Sequence, residues 1–128
     1  MNPKVYLKNC KVYIWKETFA IVKSNTPLVG SLAIIKDKNG ITSIIDETKI
    51  NKKEILEINN DWKVITFDII LPFELIGFLA LVAQALATEK ISIFVVSSFS
   101  TDHILVKRKD LNKAIKKLES FGCIVEKD

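Results

Sequence analysis

The sequence is poor in the side chains that most active sites need. It holds one histidine, His103, and two cysteines, Cys10 and Cys123, too far apart to form a C-x-x-C pair. A Cys/His zinc site needs several such ligands at short spacing, so no metal ligands and no other cofactor are expected. Among 19 basic residues there is a single arginine, Arg108. Nucleic-acid recognition leans on guanidinium forks and on aromatics that stack bases, so a net charge of +4 made of lysines argues little for it. The densest basic stretch, 107–117, reads as the solvated face of a helix. A phosphate cradle of the acylphosphatase kind wants an arginine near the first strand–helix turn, and none stands there. The chain also lacks a charged-then-apolar leader with a small-residue cleavage site. Its most apolar stretch, 69–87, is interrupted by Pro72, Glu74, Gly77 and Gln84, which suits a buried helix better than a membrane span. The expectation is a soluble, cytoplasmic protein with reduced core thiols and no membrane partner.

With 48% hydrophobic and 27% charged residues, the 128-residue chain has the profile of a globular protein. That length suits one domain or two very small ones. The first half, residues 1–60, carries short strand-like runs: KVYLKN, KVYIWK, FAIVKS, SLAIIKD and ITSIID. Turn signals separate them, above all Asn39-Gly40, since both residues accept a positive φ in a tight hairpin. INKKEILEIN reads as one short helix. From Trp62 the pattern is clearer. WKVITFDII alternates Ile65, Phe67 and Ile69 as a strand does. Pro72 suits the first turn of a helix that runs on through FELIGFLALVAQALATEK. ISIFVVSSF is apolar on both faces, as a central or doubly covered strand would be, and HILVK follows as another. Leu111, Ala114, Ile115, Leu118 and Phe121 recur at helical spacing, with Asp110 as N-cap and Gly122 as the stop. CIVEK closes as an edge strand. This β-α-β-β-α-β order over 61–128 predicts an α+β, ferredoxin-like domain: a four-stranded antiparallel sheet with both helices on one face. Residues 1–60 read as a degenerate, strand-rich copy.

The segment SSFSTDHILV brings Ser97, Ser98, Asp102 and His103 close together. A Ser-His-Asp relay is excluded by spacing, because adjacent strand residues Asp102 and His103 point to opposite faces; no catalytic residues are expected. Two readings stay open: a hairpin whose oxygens cap turn amides, or one wall of a ligand pocket. Gly77 has a similar pair of readings, close helix packing or access for a ligand.

Residues GFLALVAQALATEKISIFVVSSFSTDHILVKRKDL resemble the second ACT domain of small bacterial tandem-ACT proteins and of the CASTOR cytosolic arginine sensors. The shared pattern is a glycine opening an apolar helix, then I-S-I/V-F/Y-x-x-S-T/S-F/Y-x-T/F-D-x-I/A-L-V. Upstream, FAIVKSNTPLVGSLAIIKDKNGI is similar to the end of the first, incomplete ACT repeat. The resemblance implies a non-catalytic regulatory module that binds an amino acid at an interface between ACT domains. It implies that Ser92 and Ile93 meet the ligand's amino and carboxylate groups from one repeat, while Gly77 gives close backbone approach from the other. Ser98 and Phe99 would wall the pocket and Asp102 would attract a cationic group. With one such repeat per chain, the composite site implies a homodimer. The arginine sensors carry an acidic residue three places after the glycine, where this chain has Ala80, so the implied ligand is smaller or less basic than arginine. The alternatives are a structural dimerisation module without ligand, or a basic ferredoxin-like nucleic-acid-binding domain.

Overall fold

Helix α3 (Leu111–Ser120) shows most directly how the sequence writes the fold. Ala114, Ile115 and Leu118 fall on one stripe and are buried, while the lysines between them stay at the surface. The helix is terminated ahead of Gly122, whose φ of +95° is left-handed. A Cβ there would make only ordinary van der Waals contact, 3.4 Å from the Lys8 Cα, so the backbone torsion is what calls for glycine. The computed structural model describes residues 1–127 and divides the chain into two compact units, 1–16 with 63–128, and 17–62.

The unit formed by 1–16 and 63–128 contains α1 (Pro3–Leu7), β1 (Lys11–Ile14) and the second part of the long strand β5 (Ile55–Asp68). It continues with α2 (Phe78–Thr88), β6 (Ile93–Ser97), β7 (Asp102–Lys107), α3 and β8 (Ile124–Lys127). Its strands run in the order β6-β7-β5-β1-β8. This is the ferredoxin-like α+β arrangement with one strand added. β1 stands between β5 and β8, antiparallel to the former and parallel to the latter. The expected four-stranded antiparallel sheet is therefore corrected to five strands with a parallel pair. The cause is alternation in β1: Val12 and Ile14 point into the core with Ile65 and Phe67, so the strand completes the apolar face. Phe78, Val82 and Leu86 of α2 and Leu118 of α3 pack against that face, and Phe67 meets Phe78 edge-on at 5.1 Å.

Several local expectations are also corrected. KVYLKN is not a strand: Asn2 accepts a hydrogen bond from the Lys4 amide, Pro3 takes the first helical position, and α1 results. Helix α2 begins at Phe78 rather than at Pro72, because Gly77 has φ +90° and no helix passes through that conformation. β6 is not central. It pairs with β7 alone among the described strands, and Ile93 to Val96 are only half-buried.

The 17–62 unit is a four-stranded antiparallel sheet in the order β3-β4-β2-β5. It is built from β2 (Phe19–Ser24), β3 (Ala33–Asp37), β4 (Gly40–Asp46) and the first part of β5. Ala20, Val22, Leu28 and Ile45 form its core. The β3–β4 turn falls on Lys38 and Asn39, with Asp37 accepting the Asn39 amide at 2.8 Å. Only Gly40, at φ +126°, takes the positive φ expected of both Asn39 and Gly40. INKKEILEIN is not a helix either. After the 3-10 turn Lys52–Glu54 the chain enters β5 directly.

Candidate functional site

Between the end of β5 and the start of α2, residues 69–77 form a loop tied to the β6–β7 hairpin. The Leu71 amide donates to the Ser100 carbonyl at 2.7 Å, and the Thr101 hydroxyl donates to the Phe67 carbonyl at 2.8 Å. Inside the hairpin the Ser98 amide donates to the Thr101 carbonyl at 2.9 Å. These bonds hold loop and hairpin apart around a cavity of about 360 Å³. Segments 71–73, 75 and 77–80 line one side; the hairpin from Ser97 to Asp102 lines the other. Its volume lies in the range of small-molecule sites, about 300–1,000 Å³.

The chemistry of the lining is asymmetric. Asp102 is its one carboxylate, and no lysine or arginine borders the space. The Ser97 hydroxyl donates to Asp102 Oδ1 at 2.5 Å, which holds that carboxylate in a fixed pose. Across the cavity, α2 starts without a side-chain cap, so its first amides have no side-chain acceptor and the positive end of the helix dipole faces the space. Phe73 and Phe99 stand at the mouth, 75% and 83% exposed, with ring centroids 4.9 Å apart and an interplanar angle of 83°. An acceptor-seeking end, a fixed carboxylate and an apolar rim suit a small zwitterion.

Behind the hairpin lies a continuous hydrogen-bond chain. The Trp15 indole donates to Thr66 Oγ1 at 2.7 Å, and Thr66 Oγ1 meets His103 Nδ1 at 2.8 Å. His103 Nε2 meets the Ser98 hydroxyl at 3.1 Å, and that hydroxyl donates to the Thr101 carbonyl at 3.1 Å. Because the Ser98 hydroxyl donates to the Thr101 carbonyl, the His103 Nε2–H is the donor in its contact with Ser98. Desolvation lowers the His103 pKa below its ordinary value, with Asp102 opposing. His103 bonds Ser98 and Thr66 while Asp102 bonds Ser97, so the three side-chain types do not assemble a Ser-His-Asp relay.

Of the residues singled out in the sequence, Gly77, Ser98, Phe99 and Asp102 line this one cavity. Ser92 and Ile93 do not. Ser92 is exposed and Ile93 opens β6, four residues from Ser97 and so about 13 Å away along the strand. Ser97, from the same hairpin cluster, joins the lining, whereas Thr101, Phe73 and the bracing role of His103 carried no signal in the sequence. The Phe73–Phe99 pair had no local signal, since a loop on one segment meets a turn on another. Among the described residues no group of three or more His, Cys, Asp or Glu side chains could hold a metal ion, and no helix is long and apolar enough to cross a membrane.

The fold is that of an ACT domain. A model of the ACT domain family matches residues 57–120, half of the chain, and the chain belongs to that family. Among solved structures it is similar to a protein from Agobacterium tumefaciens, at 22% identity and a TM-score of 0.77, covering 94% of each chain. It is also similar to a protein of unknown function from Vibrio cholerae, described as a possible transport protein. There the identity is 20% and the TM-score 0.77, over 93% of this chain and 94% of that one. The regulatory subunit of aspartate kinase from Thermus thermophilus aligns at 10% identity and a TM-score of 0.60, over 85% of this chain and 95% of that one. At such identities the likeness is one of fold. No curated protein sequence matches the chain.

Proposed function

We propose that this chain is a non-catalytic, cytoplasmic regulatory module that binds an amino acid in the cavity between α2 and the β6–β7 hairpin. The observation that carries the reading is the cavity's polarity, with the start of α2 facing Asp102. A bound amino acid would set its carboxylate at the first amides of α2 and its ammonium group at Asp102. With a single fixed carboxylate and Ala80 in the helix wall, the site favours a small or apolar side chain over arginine, within an otherwise CASTOR-like arrangement. Two free, buried thiols, Cys10 and Cys123, agree with a reducing compartment. On this reading residues 61–128 are the ACT domain and 1–60 the incomplete repeat, which lends β1 to the ACT sheet.

The same reading includes a homodimer. Among the described strands β6 pairs with β7 alone, and its half-buried apolar side chains suit the recruitment of a second strand at its other edge. Antiparallel pairing of two β6 strands about Val95 would set Ser92 and Ile93 of one copy beside Ser97 and Ser98 of the other. That arrangement would complete each cavity with the two residues missing from it. Ligand contacts across the interface would then stabilise the dimer by mass action, which turns binding into a signal.

Calorimetric titration against the twenty amino acids, with light scattering for oligomeric state, tests both parts. At least one amino acid should give heat and tighten the dimer. No heat from any of them would remove the ligand-binding reading; a dimer that persists regardless would support a structural dimerisation module.

A further inference from the structure

Two cysteines from opposite ends of the sequence meet in the core of the unit formed by 1–16 and 63–128. Each immediately precedes a strand, Cys10 before β1 and Cys123 before β8. Those strands pair in parallel with Lys11 opposite Ile124 and Val12 opposite Val125, so Cys10 lies opposite Cys123 one step earlier. Backbone bonds hold this step from both sides. The Ile124 amide donates to the Cys10 carbonyl at 2.8 Å, and the Asn9 amide donates to the Gly122 carbonyl at 2.9 Å. The two chains enter the pair alike, with Asn9 at φ +62° and Gly122 at φ +95°. Neighbouring strands lie about 4.8 Å apart, and a disulfide spans Cα separations of about 4.4–6.8 Å. Both side chains belong to the same apolar cluster as Val12, Ile14 and Leu118, at 3% and 6% exposure, and both are free thiols.

We propose that Cys10 and Cys123 form an intramolecular dithiol–disulfide couple, a redox staple between β1 and β8. The oxidant is a small-molecule disulfide of the glutathione class. The Cys10 thiolate attacks one sulfur of that disulfide, breaking its S–S bond and releasing one small thiolate, which takes up a proton. The Cys123 sulfur, losing its proton, then attacks Cys10 Sγ in the mixed disulfide and expels the second small thiol. The protein dithiol gives up two electrons and two protons, and the small disulfide becomes two thiols.

The two thiols influence each other's titration: the neighbouring Cys123 draws the Cys10 pKa down, against burial and the nearby Asp68 carboxylate, while Cys10 and burial push the Cys123 pKa up. Access comes from α1. This five-residue helix buries only Leu7, whose carbonyl accepts from both the Cys10 amide at 3.1 Å and the Cys123 thiol at 3.6 Å. So short a helix frays readily, and its opening uncovers both sulfurs.

The test uses the full chain equilibrated anaerobically across a series of oxidised-to-reduced glutathione ratios, acid-quenched, and read by intact mass and non-reducing peptide mapping. The expected product loses two hydrogens and yields one cross-linked peptide pair, Cys10 to Cys123, in a monomeric polypeptide. Its Tm should rise by about 10 °C, because the link closes a loop of most of the chain, and dithiothreitol should reverse the rise. Cys10→Ala and Cys123→Ala should each abolish the mass change; the wild-type measurement decides the matter even if a variant fails to fold. Covalent dimers, stable mixed disulfides without the internal link, or thiols that stay unreacted in the most oxidising buffer would each overturn the proposal.

Discussion

Replacing Gly77 with alanine probes the residue that both starts α2 and borders the cavity. Its φ of +90° lies where an L-residue is strained. An added Cβ would find its nearest neighbour, Pro3 Cγ, at 3.6 Å, which is ordinary van der Waals contact. Crowding therefore contributes little, and the penalty is torsional. A non-glycine residue in the left-handed region costs roughly 1–2 kcal/mol. The stiffer unfolded chain returns about 0.4–1 kcal/mol of that. The expected net loss is about 1 kcal/mol, or a Tm lower by about 4 °C for a chain of this size. Gly77→Asn should lose less, since asparagine tolerates positive φ and its side chain can cap the uncapped helix. Urea unfolding followed by tryptophan fluorescence and by circular dichroism measures both variants. A Gly77→Ala protein as stable as wild type would mean that the loop is not held by this torsion. A loss above about 3 kcal/mol would mean that crowding at Pro3 dominates. An asparagine variant weaker than the alanine one would refute the torsional argument directly.

Other consequences follow from the same geometry. Asp102→Asn keeps an acceptor for Ser97 but removes the charge, so stability should change by less than about 0.5 kcal/mol while affinity for a zwitterionic amino acid falls about tenfold; calorimetry showing unchanged affinity would separate Asp102 from the ligand. His103 titrates below its ordinary value of 6.5 in the folded chain, so the unfolded chain binds the proton first as pH falls. Stability should therefore decline as pH drops below about 6.5, and His103→Gln should remove that part of the slope in pH-dependent melts; an unaltered slope would place its origin elsewhere. In the 17–62 unit, Ser43 is fully buried and its hydroxyl has no hydrogen-bond partner among the described residues. Ser43→Ala should raise stability by about 1 kcal/mol in a thermal melt, and a loss instead would show that the hydroxyl is satisfied.

Elements whose signals are local were legible in the sequence. α3 follows from the recurrence of Leu111, Ala114, Ile115 and Leu118, and the β6–β7 hairpin from two apolar runs separated by a polar turn. Four of the six proposed ligand residues meet in one cavity because they sit on the hairpin and at the helix start, which the β-α-β-β order already brings to one end of the sheet. Other elements were misread where two local signals competed. In KVYL, β-branched and aromatic residues suggested a strand, and the Asn2-Pro3 start of a helix won. Before α2, Pro72 could open a helix, and Gly77 set the true start. Ser92 and Ile93 stay apart from the cavity, since strand spacing separates the two ends of β6 whatever their side chains prefer.

The sequence alone determined which segments are amphipathic, the β-α-β-β-α-β order, and therefore the ferredoxin-like frame of an ACT domain. Each of these depends on neighbours within a few residues. Only the tertiary structure decided that β1 enters between β5 and β8, that Phe73 meets Phe99 at the cavity mouth, and that Cys10 faces Cys123. Those outcomes depend on which of several similar apolar strands pair. The alternation of Val12 and Ile14 suits any half-buried edge; what selects their partners is the shared burial of a core assembled from both ends of the chain.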